Sequence, residues 1–417
     1  MSGIKHISNL DILNAWKRIQ PVIVETPLTL HKRLSEKYEA EVYFKREDMQ
    51  PVRSYKIRGA YNKIISLPSS KLEKGVVCAS AGNHAQGVAF ACKHLQLNGT
   101  IFMPANTPMQ KIEKVKKFGE DFIEINLIGE NFDDSAAVAL QYANKTGATL
   151  IPPFDDPQII EGQATVGLEI ANQLNDTDYL FMPVGGGGLA AGISLFYHQH
   201  SPHTILVGVE PAGAASMTVA MGQGKPVQLE KIDPFVDGAA VRKVGAYTFE
   251  ICNDHLDHIH TVSEGKVCST LLQLYNEDGI VTEPAGALSI AALDDFSEMI
   301  KNKKVVCIVS GGNNDSNRME EIKKLADAWE GLQHHLVIRF HHNPDGLKDF
   351  FRNTLGENNY VNRIEYFRRD HGRSTYALVG IRSNDQSAYN DMLMRLASSN
   401  TEFKEVTKED FLFKYWV

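Results

Sequence analysis

Three stretches of this chain repeat one grammar, and the repetition limits the fold more than any other feature. Each has a short apolar strand, a glycine-rich turn, then a helix with apolar residues at helical spacing. They are "GVVCASAGNHAQGVAFACKHL", "YLFMPVGGGGLAAGISLFYHQH" and "KVVCIVSGGNNDSNRMEEIKKLADAW". "GTIFMPANTPMQKIEKVKKFG", "DFIEINL" and "TILVGVE" continue the alternation between them. Strands alternating with helices predict βαβ units around a buried, largely parallel sheet, an α/β fold. In such sheets ligands sit beyond the carboxyl ends of the strands, where these glycine turns fall.

The grammar changes near Gln333. From there the chain reads as strand "HHLVIRF", helix "DGLKDFFRNTL", strands in "VNRIEYFRRD" and "STYALVGIRS", helix "QSAYNDMLMRLASS" and a strand near "FKEV". That βαββαβ order is the ferredoxin-like α+β pattern. A length of 417 residues is too great for one core, so a first part, 1–332, and a second, 333–417, are expected. The net charge of −8, with no basic stripe, argues against nucleic acid as a partner. No segment approaches the roughly 18 uninterrupted apolar residues of a membrane span, and the N-terminus lacks a signal-peptide core. Five scattered cysteines without a C-x-x-C pair read as reduced thiols of a cytoplasmic protein. The histidine pairs His334-His335 and His341-His342 are weak metal candidates, since strand neighbours point to opposite faces. No metal site is expected.

Two motifs carry chemistry. In "SYKIRGA" the spacing of Ile57, Ala60, Tyr61 and Ile64 predicts a helix with Ser54 as N-cap. Lys56 then falls in the first turn, beside unpaired N–H groups and the positive end of the dipole. Lys56 is then either a solvated surface lysine flanked by Arg53 and Arg58, or a lysine needed as a neutral amine, of the kind that forms Schiff bases, and the rest of the sequence decides between them. The second motif is "GGGG", Gly185 to Gly188, between a strand and the helix beginning "LAAGIS". Bare backbone N–H groups at a helix N-terminus make an anion cradle, and phosphate is the expected guest. The Lys-Ser/Thr of a P-loop is missing. Gly185-x-Gly187-x-x-Ala190, with Glu210 ending the next strand, also matches a dinucleotide fingerprint, so a nicotinamide-dependent oxidoreductase is the rival reading. That reading gives "SYKIRGA", "SAGNHAQG" and "SGGNN" no work.

Together, "SYKIRGA", "SAGNHAQG", "GGGGLAAG" and "SGGNND", in that order, resemble the pyridoxal-phosphate enzymes of the tryptophan-synthase-β fold, and among them the threonine ammonia-lyases (threonine dehydratases) and serine dehydratases. The resemblance implies two parallel-sheet α/β lobes, the smaller at roughly 54–150 inserted in the larger. It implies pyridoxal 5′-phosphate as cofactor, held by Lys56, with Asn83 on its ring hydroxyl. Gly185, Gly186, Gly187, Gly188 and Leu189 would receive its phosphate, and Ser310 its pyridine nitrogen. A serine there leaves the ring largely neutral, which suits β-elimination better than transamination. Ser80, Gly82 and His84 would face the substrate carboxylate, although His84 also fits a structural role. Gly238 and Glu283 match motifs lining the pocket. Ala81 stands where the similar serine racemases carry a serine, which makes racemisation the weaker alternative. Glu210, Ala214 and Ser216 fall where some relatives hold a divalent cation, but a serine replaces an acid. The tail is similar to the ACT-like regulatory domain of biosynthetic threonine dehydratases. The implied function is deamination of L-threonine to 2-oxobutanoate and ammonia, the entry to isoleucine synthesis, with L-serine dehydration as the nearest alternative. Isoleucine is the implied effector, valine its antagonist, and a tetramer or dimer the implied assembly.

Overall fold

Strands in which nearly every side chain is buried demand cover on both faces, and helices provide it here. The computed structural model describes residues 7–341, 346–367, 374–399, 401–406 and 410. His342, Asp345 and residues 368–370, on which parts of the sequence expectations fall, lie outside these. The chain divides into two compact units, Met1–Asp315 and Ser316–Val417.

The first unit holds two sheets. The six-stranded sheet runs Leu28–Leu30, Glu41–Arg46, Lys304–Val309, Tyr179–Pro183, Ile205–Pro211, His258–Val262. Its pairings are parallel except at the first, antiparallel edge. The four-stranded sheet, Ile123–Leu127, Gly99–Met103, Val76–Ala79, Thr149–Leu150, is parallel throughout. Val76–Ala79 and Gly99–Met103 are buried at every position, as a doubly covered parallel sheet requires. Each sheet anchors its own core. One gathers Met182, Leu189, Ile193 and Val306; the other gathers Ile57, Ile64, Val88 and Ile101. Helix Lys56–Ile65 lies against helices Asn83–Leu95 and Pro157–Gln173. Helix Lys56–Ile65 thus packs between these two helices, and Ser54 just before it pairs with Gly311.

The second unit begins at Ser316, so it takes in helix Met319–Trp329 as well as the residues after Gln333. Its antiparallel sheet runs Asn359–Phe367, Ser374–Ser383, Gln333–His341, Phe403–Glu405. With helix Gln386–Ser398 packed on Leu336, Ile338, Val379 and Ile381, this is the ferredoxin-like arrangement.

Candidate active site

Lys56 is the first residue of helix Lys56–Ile65, as its sequence context predicts, but Ser54 does not cap that helix. Tyr55 takes the N-cap position without a side-chain capping bond, and the Gly59 N–H of the first turn donates to the Gln163 side chain at 3.2 Å. Ser54 instead pairs with Gly311 in an antiparallel bridge, because the chain must cross the end of strand Lys304–Val309 before it can turn into the helix. The Ser54 hydroxyl is buried with no hydrogen-bond partner among the described residues. The Lys56 amine donates to the Pro153 carbonyl at 2.9 Å. Burial pushes it down to about 8, and the Glu283 carboxylate pulls in the opposite direction. A carbonyl partner stabilises an ammonium less than a carboxylate would, so this lysine can lose its proton near neutrality.

The glycine turn bends between strand Tyr179–Pro183 and helix Gly188–His200. A Cβ on Gly186 would lie 2.2 Å from the Phe154 ring, and Gly187 has φ +90°, so side chains are excluded by space at one and by backbone at the other. Gly185 backs onto Ala239. Gly188 starts the helix, and Leu189, 1% exposed, roots it in the core. Beneath the turn, the Thr248 hydroxyl donates to the Gly186 carbonyl at 2.6 Å.

Ser310 follows strand Lys304–Val309, and its carbonyl accepts from the Tyr55 N–H, one residue before Lys56, at 3.2 Å. Asn83 opens helix Asn83–Leu95. Its amide N–H donates to Glu283 at 2.6 Å, and its amide oxygen accepts from Asn313 at 2.8 Å. Asn313 belongs to "SGGNND", so one side chain joins two sequence motifs. Burial pushes Glu283 up to about 7, with Asp237 adding to the rise. A Cβ on Gly238 would sit 2.8 Å from that of Ala285 and 3.4 Å from Glu283, which places Gly238 against the same segment. In the loop before Asn83, the Gly82 N–H donates to the Ser80 hydroxyl at 3.2 Å. His84 is buried and donates from Nε2 to the Ile151 carbonyl at 2.9 Å; burial, with Lys56 near, pushes its imidazole down to about 3. It is therefore a neutral, committed side chain.

Lys56, the glycine turn, Ser310, Asn83 and Gly238 thus meet through shared neighbours. Glu210 does not join them. Its carboxylate accepts from the Met217 and Thr218 N–H groups and from the Thr218 hydroxyl, each at 2.7 Å, so it caps a helix and does not read a ribose. Sequence reasoning missed Phe154, Asp155 and Thr248. "PPFDDP" carried a signal, since Asp followed by Pro marks a helix start, yet nothing in it points at a glycine turn about 30 residues on. The unpartnered Ser54 hydroxyl, a lysine amine that burial pushes down to about 8, and a turn with no room for a Cβ at Gly185, Gly186 or Gly187 fit a phosphate-bearing aldehyde cofactor.

Residues 19–311 match the family described as pyridoxal-phosphate dependent enzyme. The chain belongs to this family. Residues 324–416 match the C-terminal regulatory domain of threonine dehydratase. Among curated family members, the biosynthetic L-threonine dehydratase of Halalkalibacterium halodurans is 49% identical over 97% of this chain and 97% of its own. That of Lactococcus lactis subsp. lactis is 45% identical over 99% of this chain and 100% of its own. The processed form of threonine deaminase isoform 2 from Solanum lycopersicum superposes with a TM-score of 0.72 at 41% identity, covering 78% of this chain and 96% of that one. Serine racemase from Dictyostelium discoideum gives 0.69 at 31%, covering 74% and 99%. The threonine dehydratase branch of the family is therefore shown, and pyridoxal phosphate is its cofactor.

Proposed function

We infer that this chain deaminates L-threonine to 2-oxobutanoate and ammonia, the committing step toward isoleucine, with L-serine a weaker substrate. When bound, pyridoxal phosphate supplies the electron sink that acidifies the substrate α-carbon. The chain's residues do the rest. Lys56 would hold the cofactor's aldehyde carbon, and its Nζ, when free, would take the substrate α-proton. Gly185 to Leu189 receive the phosphate, Asn83 the ring hydroxyl and Ser310 the ring nitrogen. Ser80, Gly82 and the helix start behind them orient the substrate carboxylate, while His84 and Gly238 shape the wall. The proton that Lys56 takes from the α-carbon balances the one that the departing β-hydroxyl gains as water, and addition of a second water to the released enamine yields 2-oxobutanoate and ammonia.

The observation that carries this reading is the Lys56 amine, held against a carbonyl with its proton affinity lowered to about 8. Racemisation remains the second reading because serine racemases share the fold. Ala81, which carries no proton for a second face, weighs against it. The test is direct. Purified protein should be yellow, borohydride should bleach it, and the cofactor should then stay on the peptide containing Lys56. Threonine must yield 2-oxobutanoate faster than serine yields pyruvate, and D-serine must not accumulate. A colourless protein retaining a nicotinamide nucleotide would overturn the reading.

We take residues 1–332 as the catalytic part and 333–417 as an amino-acid sensor. Isoleucine is its inhibitor and valine the antagonist, on a homo-oligomer, tetramer or dimer. Five buried cysteines, none in a disulfide, support a cytoplasmic setting.

A further inference from the structure

Six consecutive residues, Ile151 to Asp156, reach His84, Lys56 and the glycine turn. The Ile151 carbonyl accepts from His84, the Pro153 carbonyl accepts from Lys56, and Phe154 packs on Gly186 and Gly188. Asp156 caps helix Pro157–Gln173 and pairs with Lys63 at 2.7 Å. Asp155 does something different. Helix Ala246–His255 has a glycine, Gly245, at its N-cap, so it has no local side chain to satisfy its first N–H groups. The Asp155 carboxylate arrives from about 90 residues earlier and accepts from Ala246, Tyr247 and Thr248 N–H at 3.0, 2.9 and 3.1 Å. That same helix supports the glycine turn: the Thr248 hydroxyl donates to the Gly186 carbonyl at 2.6 Å and the Cys252 thiol to the Gly187 carbonyl at 3.8 Å.

We propose that Asp155 is a positioning residue for phosphate capture, acting through helix Ala246–His255 and Thr248 on the carbonyls of the glycine turn. The proposal rests on reading Gly185 to Gly188 as the phosphate site. A peptide whose carbonyl is fixed from below has its N–H groups fixed above, because each peptide plane is rigid. N–H groups aimed in advance bind an anion without an ordering cost. Asp155 thereby converts a flexible run of four glycines into a set cradle, and the strap it belongs to couples that cradle to the Lys56 amine through Pro153, two residues upstream.

The test compares two aldehydes that differ only in the phosphate. Apoprotein of the full chain is titrated with pyridoxal 5′-phosphate and with pyridoxal, following the absorbance of the bound chromophore. In Asp155→Ala and in Thr248→Val, affinity for the phosphorylated aldehyde should fall about tenfold while affinity for pyridoxal changes less than about twofold, the scale of a lost cap. Asp155→Asn, which keeps one acceptor oxygen, should lie between and supplies the measurement if Asp155→Ala does not fold. Equal weakening toward both aldehydes would mean that Asp155 only stabilises the fold, and the inference fails. Unchanged affinity for both would also overturn it. If wild-type protein itself does not prefer the phosphorylated form, the reading of the glycine turn fails first.

Discussion

At Lys56 two physical effects oppose the charged amine: burial, and a position as first residue of a helix whose N-cap, Tyr55, supplies no side-chain acceptor. Chemistry that needs a neutral lysine should then follow its titration. Turnover requires the deprotonated form, so kcat should rise through an inflection near 8 and level off above it. The Glu283 carboxylate raises Lys56, so Glu283→Gln should move the inflection to lower pH; an unmoved inflection would show that the two groups are not coupled. Lys56→Ala should abolish deamination, losing at least the 10²–10⁴-fold of a general base, about three decades, and should leave circular dichroism unchanged. Measurable turnover at more than a tenth of wild type would show that another residue takes the proton.

The element that carries this lysine is held by an interior ion cluster. Arg58, fully buried, forks onto Glu47 at 2.7 and 2.8 Å and onto Glu169 at 2.7 and 2.8 Å. Lys45 adds a bond to Glu169 at 2.7 Å. Two cations and two carboxylates balance, and they pin the start of helix Lys56–Ile65 to strand Glu41–Arg46 and helix Pro157–Gln173. Burial pushes the Glu47 carboxyl up, but the Arg58 guanidinium outweighs it and holds the group below its ordinary range. A buried network of this kind punishes removal of one partner more than it rewards the whole. Glu169→Gln leaves Arg58 and Lys45 undercompensated, and should destabilise the catalytic unit by about 3–5 kcal/mol. The check is the urea midpoint of the transition that carries the cofactor absorbance. A loss under about 1 kcal/mol would mean that water or a rearranged neighbour replaces the carboxylate.

At the scale of the molecule, two compact units share one chain, and the second contains none of the residues assigned to the cofactor. A sensor there can inhibit only if its ligand binds one arrangement of the molecule better than another. Full-length protein should lose activity across an isoleucine series, valine should restore it, and a chain ending before Gln333 should deaminate threonine without responding to either. Equal inhibition of both chains would place the effector on the catalytic unit. No response in the full chain would leave the second unit a structural module.

The sequence alone determined the α/β fold class and a glycine-rich anion cradle, and the resemblance carried by its four motifs named the cofactor. Uninterrupted apolar strands permit little except a covered parallel sheet, and glycine runs at strand ends permit little except close backbone approach to a ligand. Both signals are local, so both survive without coordinates. The tertiary structure decided where separate segments meet. Ser54 looked like a cap because serine before a helix usually is one, but strand Lys304–Val309 claims it through Gly311. Glu210 looked free to read a ribose until helix Ser216–Gln223 folded onto it. Asp155 gave no sign of its target, because the helix it caps lies about 90 residues away and the glycine at its N-cap is silent in sequence. Hydrogen bonds between distant segments depend on the packing that brings their ends together, and local pattern carries no record of that.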